Sequence, residues 1–162
     1  MIKIDKTMLD QVTAAARSSP RRRMNHNFHE SPEEPLQRML NAIEPLSYIR
    51  PHFHEEPEKR EIFFVLRGRL LVVEFDDQGH VTDHFLLSPQ AGNHGVEIPH
   101  RVYHTIIALD PGTVAYEIKV GPFIPLSDKN FAPWAPEADV PGVNAYLSRL
   151  LRDLDLSIEI YF

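Results

Sequence analysis

The sequence predicts a mainly β chain, an antiparallel sandwich or barrel with one helix at each end. Three observations predict it. From about residue 36 to residue 120, short apolar or alternating runs follow one another with no helical period between them. Turn signals separate these runs, at Glu44-Pro45, Asp76-Asp77-Gln78-Gly79, Ser88-Pro89 and Asp110-Pro111-Gly112. Before and after this region, apolar residues recur at helical spacing.

The first helix is expected over residues 5–19. Ile4, Met8, Leu9, Val12 and Ala16 share a face, Asp5 or Thr7 can cap the start, and Pro20 ends it. Arg21 to Pro35 is polar, has no clear period, and reads as an arm. The strand-like runs are LQRMLNAIE, SYIRPHFH, EIFFVLRG, RLLVVEF, VTDHFLL, HGVEI, RVYHTIIAL and TVAYEIKV. Pro122, Pro125, Pro133, Pro136 and Pro141 then make an irregular strap. Val143, Leu147, Leu150, Leu151 and Leu154 form the stripe of a short second helix. In the tail, Leu156, Ile158, Ile160 and Phe162 alternate with Ser157, Glu159 and Tyr161, as in a strand. An apolar edge must pair, so this tail is expected to join a sheet of its own chain or of a homodimer partner. The expected organisation is a single domain in three parts. These are a helix and polar arm (1–34), a β-barrel (35–122), and a strap, helix and terminal strand (123–162).

Composition narrows the function classes. At 162 residues and 18.6 kDa the chain has room for one ordinary domain. Its 17 basic and 23 acidic residues give a formal net charge of −6, which argues against nucleic acid or a membrane surface as partner. There is no cysteine, so disulfide scaffolds, thiolate metal sites and cysteine nucleophiles are excluded. MIKIDKTMLDQV lacks the apolar core of a signal peptide. The expectation is a soluble, cytoplasmic protein whose partner is a small molecule.

Nine histidines are many for this length. His52 and His54 sit two apart in a strand-like run, so both imidazoles point to one face, about 6.6 Å apart along the strand. Chance alone supplies roughly half of one such pair at this composition. The surroundings raise its weight. Six residues separate His54 from Glu61, and six more separate Glu61 from Gly68. Further on, Pro99 is followed by four residues and then His104.

This order resembles the two signature motifs of the cupin superfamily: H-x-H, three or four residues, E, six residues, G, and later P-x-G-x-x-H. The resemblance implies a cupin-type antiparallel β-barrel (a double-stranded β-helix or jelly roll). It also implies one divalent transition metal, Zn, Fe, Mn or Ni, held by His52, His54, Glu61 and His104. Two departures matter. The stretch from His54 to Glu61 is longer than the motif allows, so Glu55, Glu56 or Glu58 could replace Glu61, although the spacing to Gly68 favours Glu61. The glycine of the second motif is Arg101. Over roughly residues 5–138, strings such as SPRRRMNHNFH, YIRPHFH, ALDPGTVAYEIKVGPFIPL and DKNFAPWAPE look like WbuC-type cupin metalloproteins, found among surface-polysaccharide gene sets. That resemblance implies a fold and a metal but no substrate.

The competing reading of the three histidines is a set of partly buried side chains bonded to neighbouring strands. For Glu61 it is a surface carboxylate on an edge strand. His26 and His29 lie in the polar arm, where they either fold across the barrel mouth or are solvated; His29 is the stronger candidate for ligand contact. His80, His84 and His94 read as surface residues, and His100 as a turn residue. Arg21, Arg22 and Arg23 are either a solvated run or a clamp for an anion. On LQRMLNAIE, Gln37, Met39, Asn41 and Ile43 share one face, and Leu36, Arg38, Leu40 and Ala42 share the other. His29, Arg38, Tyr48, Arg50 and Arg101 are the candidates for substrate contact, Tyr48 and Arg50 because they share the parity of His52 and His54. Trp134 is expected to pack at a barrel end.

Three imidazoles and one carboxylate would leave open positions on a metal. The leading expectation is therefore a metal-dependent enzyme on a small polar substrate, carbohydrate-like or anionic, of isomerase or epimerase type. Its base would be Glu55, Glu56, Glu58 or His29. An iron(II) dioxygenase and a non-catalytic sugar-binding protein are the alternatives.

Overall fold

The computed structural model describes residues 1–55, 58–123, 130–138 and 140–158. Its strands form two antiparallel sheets. The strands are β1 (Arg23–Asn27), β2 (Leu36–Ile43), β3 (His52–Phe53), β4 (Glu61–Arg67), β5 (Leu70–Phe75), β6 (Val81–Leu87), β7 (Gly95–Ile98), β8 (Tyr103–Ala108), β9 (Thr113–Val120) and β10 (Asn130–Phe131). One sheet has the order β1-β2-β9-β4-β7 and the other β10-β3-β8-β5-β6. Within β2 to β9 the chain alternates between sheets except at the β5–β6 hairpin, so that early strands pair with late ones, the connectivity of a jelly roll. The expected antiparallel jelly-roll barrel with a helix at each end is the observed fold.

The layers explain the strand compositions. β5 reads as a near-continuous apolar run because it is buried on both faces. Leu70 and Val72 point inward to a cluster with Phe63, Val65, Leu87 and Ile106. Leu71, Val73 and Phe75 point outward to Leu147, Leu150 and Leu151 of α2 (Val143–Asp153). On the opposite sheet, Leu40, Ala42 and Val114 are covered by Val12 and Ala16 of α1 (Lys6–Ser18). Asp5 caps α1 by accepting from the Met8 amide at 3.0 Å. Glu44, buried between the layers, accepts from Arg17 Nε and from the Gly112 amide, both at 3.1 Å, and so ties α1 to the β8–β9 turn.

Three expectations are corrected. The polar arm contains a strand, β1, which pairs with β2 from Arg23↔Ile43 to Asn27↔Met39. It escaped the apolar-pattern reading because an edge strand lining a polar space needs no apolar face. The run SYIRPHFH is strand only at His52–Phe53. Leu46 has φ 67° and Pro51 has no amide to donate, so the preceding stretch does not join the ladder. The tail is not strand over residues 156–158, where Leu156 and Ile158 pack against the α2 cluster; the rest of that expectation lies outside the described residues. Among the described residues, no helix is long and apolar enough to cross a membrane.

Candidate metal centre

His52, His54, Glu61 and His104 come together between the two sheets. β3 and β8 pair at His52↔His104, while Glu61 opens β4 on the facing sheet. Donor atoms from all four lie within 4.8 Å of one another. None is more than 4% exposed, which removes the surface-carboxylate reading of Glu61. Nδ1 of His52 lies 2.9 Å from the Arg50 carbonyl, and Nδ1 of His104 lies 2.9 Å from the Val102 carbonyl. A carbonyl only accepts, so both protons sit on Nδ1 and each ring keeps Nε2 as the nitrogen with a lone pair to offer.

The Glu61 carboxylate is the hub. Oε1 is 3.2 Å from His54 Nε2 and 3.6 Å from Lys119 Nζ, and Oε2 is 2.7 Å from His104 Nε2. Burial alone would raise its pKa, but His104 and His54, with Lys119 adding charge, outweigh burial and hold it well below the usual carboxylate range. Glu61 Oε2 and His104 Nε2 are both buried, and neither has a hydrogen-bond partner of acceptable geometry. With the His104 ring proton on Nδ1, both atoms present lone pairs to one buried point, which suits a cation. Imidazole nitrogens with one carboxylate are the donor set of Zn, Fe, Mn or Ni. The group can hold one metal ion, and its donors fit one.

His52, Glu61 and His104 form one wall of a cavity of about 450 Å³, a size suited to a small molecule. The inward face of β2 contributes Gln37, Met39, Asn41 and Ile43, and β9 contributes Glu117 and Lys119. Asn41 Nδ2 donates to Glu117 Oε2. Glu117 Oε1 is 3.9 Å from Lys119 Nζ. A buried polar line thus runs from the histidines through Glu61 and Lys119 to Glu117. Sequence reading passed over Glu117 and Lys119. Their signal was two opposite charges at i, i+2 on an otherwise apolar strand.

The other sequence candidates divide sharply. His29 lines the cavity, its Nδ1 3.1 Å from the Arg38 amide nitrogen. Arg38 does not; its guanidinium donates to Glu34 Oε2 at 2.9 Å and to the Phe28 carbonyl at 3.3 Å, on the outer face of β2. Tyr48 packs in the α2 cluster and donates to the Pro136 carbonyl at 2.8 Å. Arg50 donates to the Ala132 carbonyl at 2.9 Å, so both anchor the strap and neither is among the cavity-lining residues. Shared parity fails for them because the chain is not a strand before His52. Glu55 pairs with Arg101 at 2.9 Å and Glu58 with His100 at 3.4 Å, and none of the four lines the cavity. Glu56 lies outside the described residues. His26 stacks edge-on against Phe28 at 5.1 Å.

Arg101 stands where the motif has glycine, and its φ of 61° is the left-handed conformation glycine favours. The turn is kept: the Arg101 amide donates to the His54 carbonyl at 3.0 Å, tying the two halves of the centre together. Arg101→Gly is therefore expected to change unfolding free energy by no more than about 1 kcal/mol, relief of strain offsetting added chain entropy. Denaturant titration checks this.

A family model described as a domain of unknown function, DUF6016, matches residues 4–87, more than half of the chain. The chain belongs to the DUF6016 family. The DUF6016 match runs from α1 to the end of β6, so it contains His52, His54 and Glu61, and His104 lies beyond it. No curated protein matches the sequence. Among solved structures, L-ribose isomerase from Cellulomonas parahominis is similar at 15% identity and TM-score 0.52, over 68% of this chain and 69% of that one. CapF, solved with the inhibitor 3-isopropenyl-tropolone, is similar at 20% identity and TM-score 0.53 over 67% of this chain, which spans 33% of CapF. A cupin superfamily protein from Desulfitobacterium hafniense DCB-2 matches at 13% identity and TM-score 0.46, over 60% of this chain and 76% of that one. At such identities the first two likenesses show a shared fold.

Proposed function

We propose that this protein is a metal-dependent enzyme that moves a proton on a small polar, carbohydrate-like or anionic substrate, an isomerase or epimerase type of reaction. The observation that carries the reading is the convergence of four buried donors, three of them (His52, Glu61 and His104) on one wall of a cavity whose adjacent wall holds a further carboxylate, Glu117. His52, His54, Glu61 and His104 are the ligands in this reading, and an ion held there would supply Lewis acidity toward a substrate oxygen. That the structurally similar L-ribose isomerase is named for a sugar isomerisation, and that the sequence resembles polysaccharide-associated cupins, supports a carbohydrate-like substrate.

The chain's own residues then take separate roles. Glu117 Oε1 accepts the proton from the carbon beside the substrate carbonyl, and the electron pair moves toward the carbonyl oxygen. In an isomerisation the same carboxylic acid returns the proton to the former carbonyl carbon while the hydroxyl proton of the first carbon passes to the former carbonyl oxygen; in an epimerisation it returns the proton to the first carbon on the opposite face, after the intermediate has turned. Asn41 holds Glu117 Oε2, so the oxygen facing Lys119 is the one oriented for transfer. Met39 and Phe63, which flank Glu117 across the sheet, limit water around it.

The test is deuterium uptake at substrate carbon, followed by NMR in deuterated water. The panel is aldopentoses, aldohexoses, their uronic acids and their phosphates. Wild-type protein should catalyse exchange into at least one compound. Glu117→Gln should slow it by about 10²–10⁴-fold while keeping its metal. No exchange with any compound, or exchange undiminished in Glu117→Gln, would defeat the proposal.

A further inference from the structure

Arg21, Arg23, Asn25, Asn27 and His29 recur every second residue, and all five line the cavity. β1 is an edge strand, paired only to β2, so its polar side chains could be hydrated on its open side. Arg21, Asn25 and Asn27 are exposed and Arg23 and His29 half-buried, so together they form the rim of the cavity. The cross-strand register orders them against the rest of the lining: Arg23 lies beside Ile43, Asn25 beside Asn41, and Asn27 beside Met39, which in turn adjoins Glu117. One path along the cavity thus leads from guanidinium groups, past amides, to the polar line that ends at Glu61.

Charge follows the same direction. The protein as a whole carries −6. The cavity lining reverses that sign, with three cations (Arg21, Arg23 and Lys119) against two carboxylates (Glu61 and Glu117). A divalent ion in the centre would add two further positive charges. A cationic recess in an acidic surface concentrates anions. Arg23 is held in place by donation from Nη1 to the Tyr48 carbonyl at 2.8 Å and to Ser47 Oγ at 3.3 Å, which sets the direction of its planar fork.

We infer that the cavity takes a polyhydroxylated anion, a sugar carrying a carboxylate or a phosphate, with its anionic group at Arg21 and Arg23 and its hydroxyl-bearing end toward the histidines. This rests on reading the cavity as the substrate site, and it names the substrate class. The hydroxyls meet Asn25, Asn27 and Asn41, whose amides both donate and accept.

The experiment is calorimetric titration of the full metal-loaded chain with glucose, glucuronate, glucose 6-phosphate and inorganic phosphate. At least one of the two anionic sugars is expected to bind about tenfold or more tightly than glucose, and more tightly than phosphate alone. Which one does so separates a carboxylate from a phosphate ligand. The double variant Arg21→Ala, Arg23→Ala should lose the preference. Arg22→Ala should keep it, because Arg22 donates to the Pro45 carbonyl and is not part of this lining. If the double variant unfolds, Arg21→Ala alone, at an exposed position, should still weaken binding of the preferred anionic sugar. Equal binding of glucose, a preference unchanged in the variants, tighter binding of phosphate alone, or no binding of either anionic sugar would each overturn the inference. Metal content is measured on the same samples. Absence of metal would remove the proposed reaction, whereas a charge preference surviving in metal-free protein would leave the anion site standing.

Discussion

His104→Ala is expected to lose its metal and to lower the stability of the protein by about 3–5 kcal/mol. The cost has two sources. Glu61 is buried, and His104 Nε2 is 2.7 Å from its Oε2, so deletion leaves a carboxylate without its nearest cationic or metal-bridged neighbour. The binding free energy of the ion, which favours only the folded chain, also disappears. His52→Ala should behave in the same direction. His80→Ala should do neither, because His80 is exposed and its ion pair among the described residues is with Asp76 across a turn. Elemental analysis of freshly purified protein, followed by thermal unfolding with and without chelator, measures both effects. Equal metal occupancy in the three variants would refute the ligand assignment.

Gly68→Ala is expected to be nearly as damaging, by about 3 kcal/mol, though it lies outside the centre. Gly68 has φ 74°, and a Cβ there would overlap the Thr113 hydroxyl and come within 3.0 Å of Thr113 Cα. That hydroxyl is not free to retreat, since it donates to the Asp110 carbonyl at 2.7 Å. Gly92 is the control. Its φ is 80° but a Cβ would meet nothing within 4 Å, so Gly92→Ala should cost only the backbone strain, about 1 kcal/mol. Denaturant unfolding of the two variants separates the clash from the strain; equal losses would show that contact with Thr113 contributes nothing.

Gly68 also explains why a glycine helped to identify the carboxylate. Glu61 and Gly68 begin and end one strand and its turn, so their spacing is the length of β4. A glutamate at 55 or 58 would stand before that strand begins, and there Glu55 and Glu58 pair with Arg101 and His100 instead. The motif thus remained readable despite the longer gap after His54. Arg101 had the opposite effect: a motif glycine was absent, yet the left-handed turn it serves persisted. The inward face of β2 was also visible, as one of two alternating faces, but its direction was not. Alternation carries two solutions, and only what covers each side selects one. Here α1 covers Leu40 and Ala42, and that turns Gln37 and Asn41 toward the cavity.

By itself, the amino-acid sequence determined the sheet-rich barrel, the two helices and the four residues grouped at the centre. The barrel and the helices rest on spacing within a strand, a helix or a turn, where periodicity is local; the four residues rest on the resemblance of their order to the cupin motifs. Only the tertiary structure decided that Glu117, Lys119 and the β1 ladder share a cavity with the histidines, and that Tyr48, Arg50 and Arg38 do not. Membership of the cavity depends on which strands pair and in what register. Those pairings join Met39 to Glu117 and Lys119 to Glu61 across long stretches of chain, a choice made by the packing of whole layers.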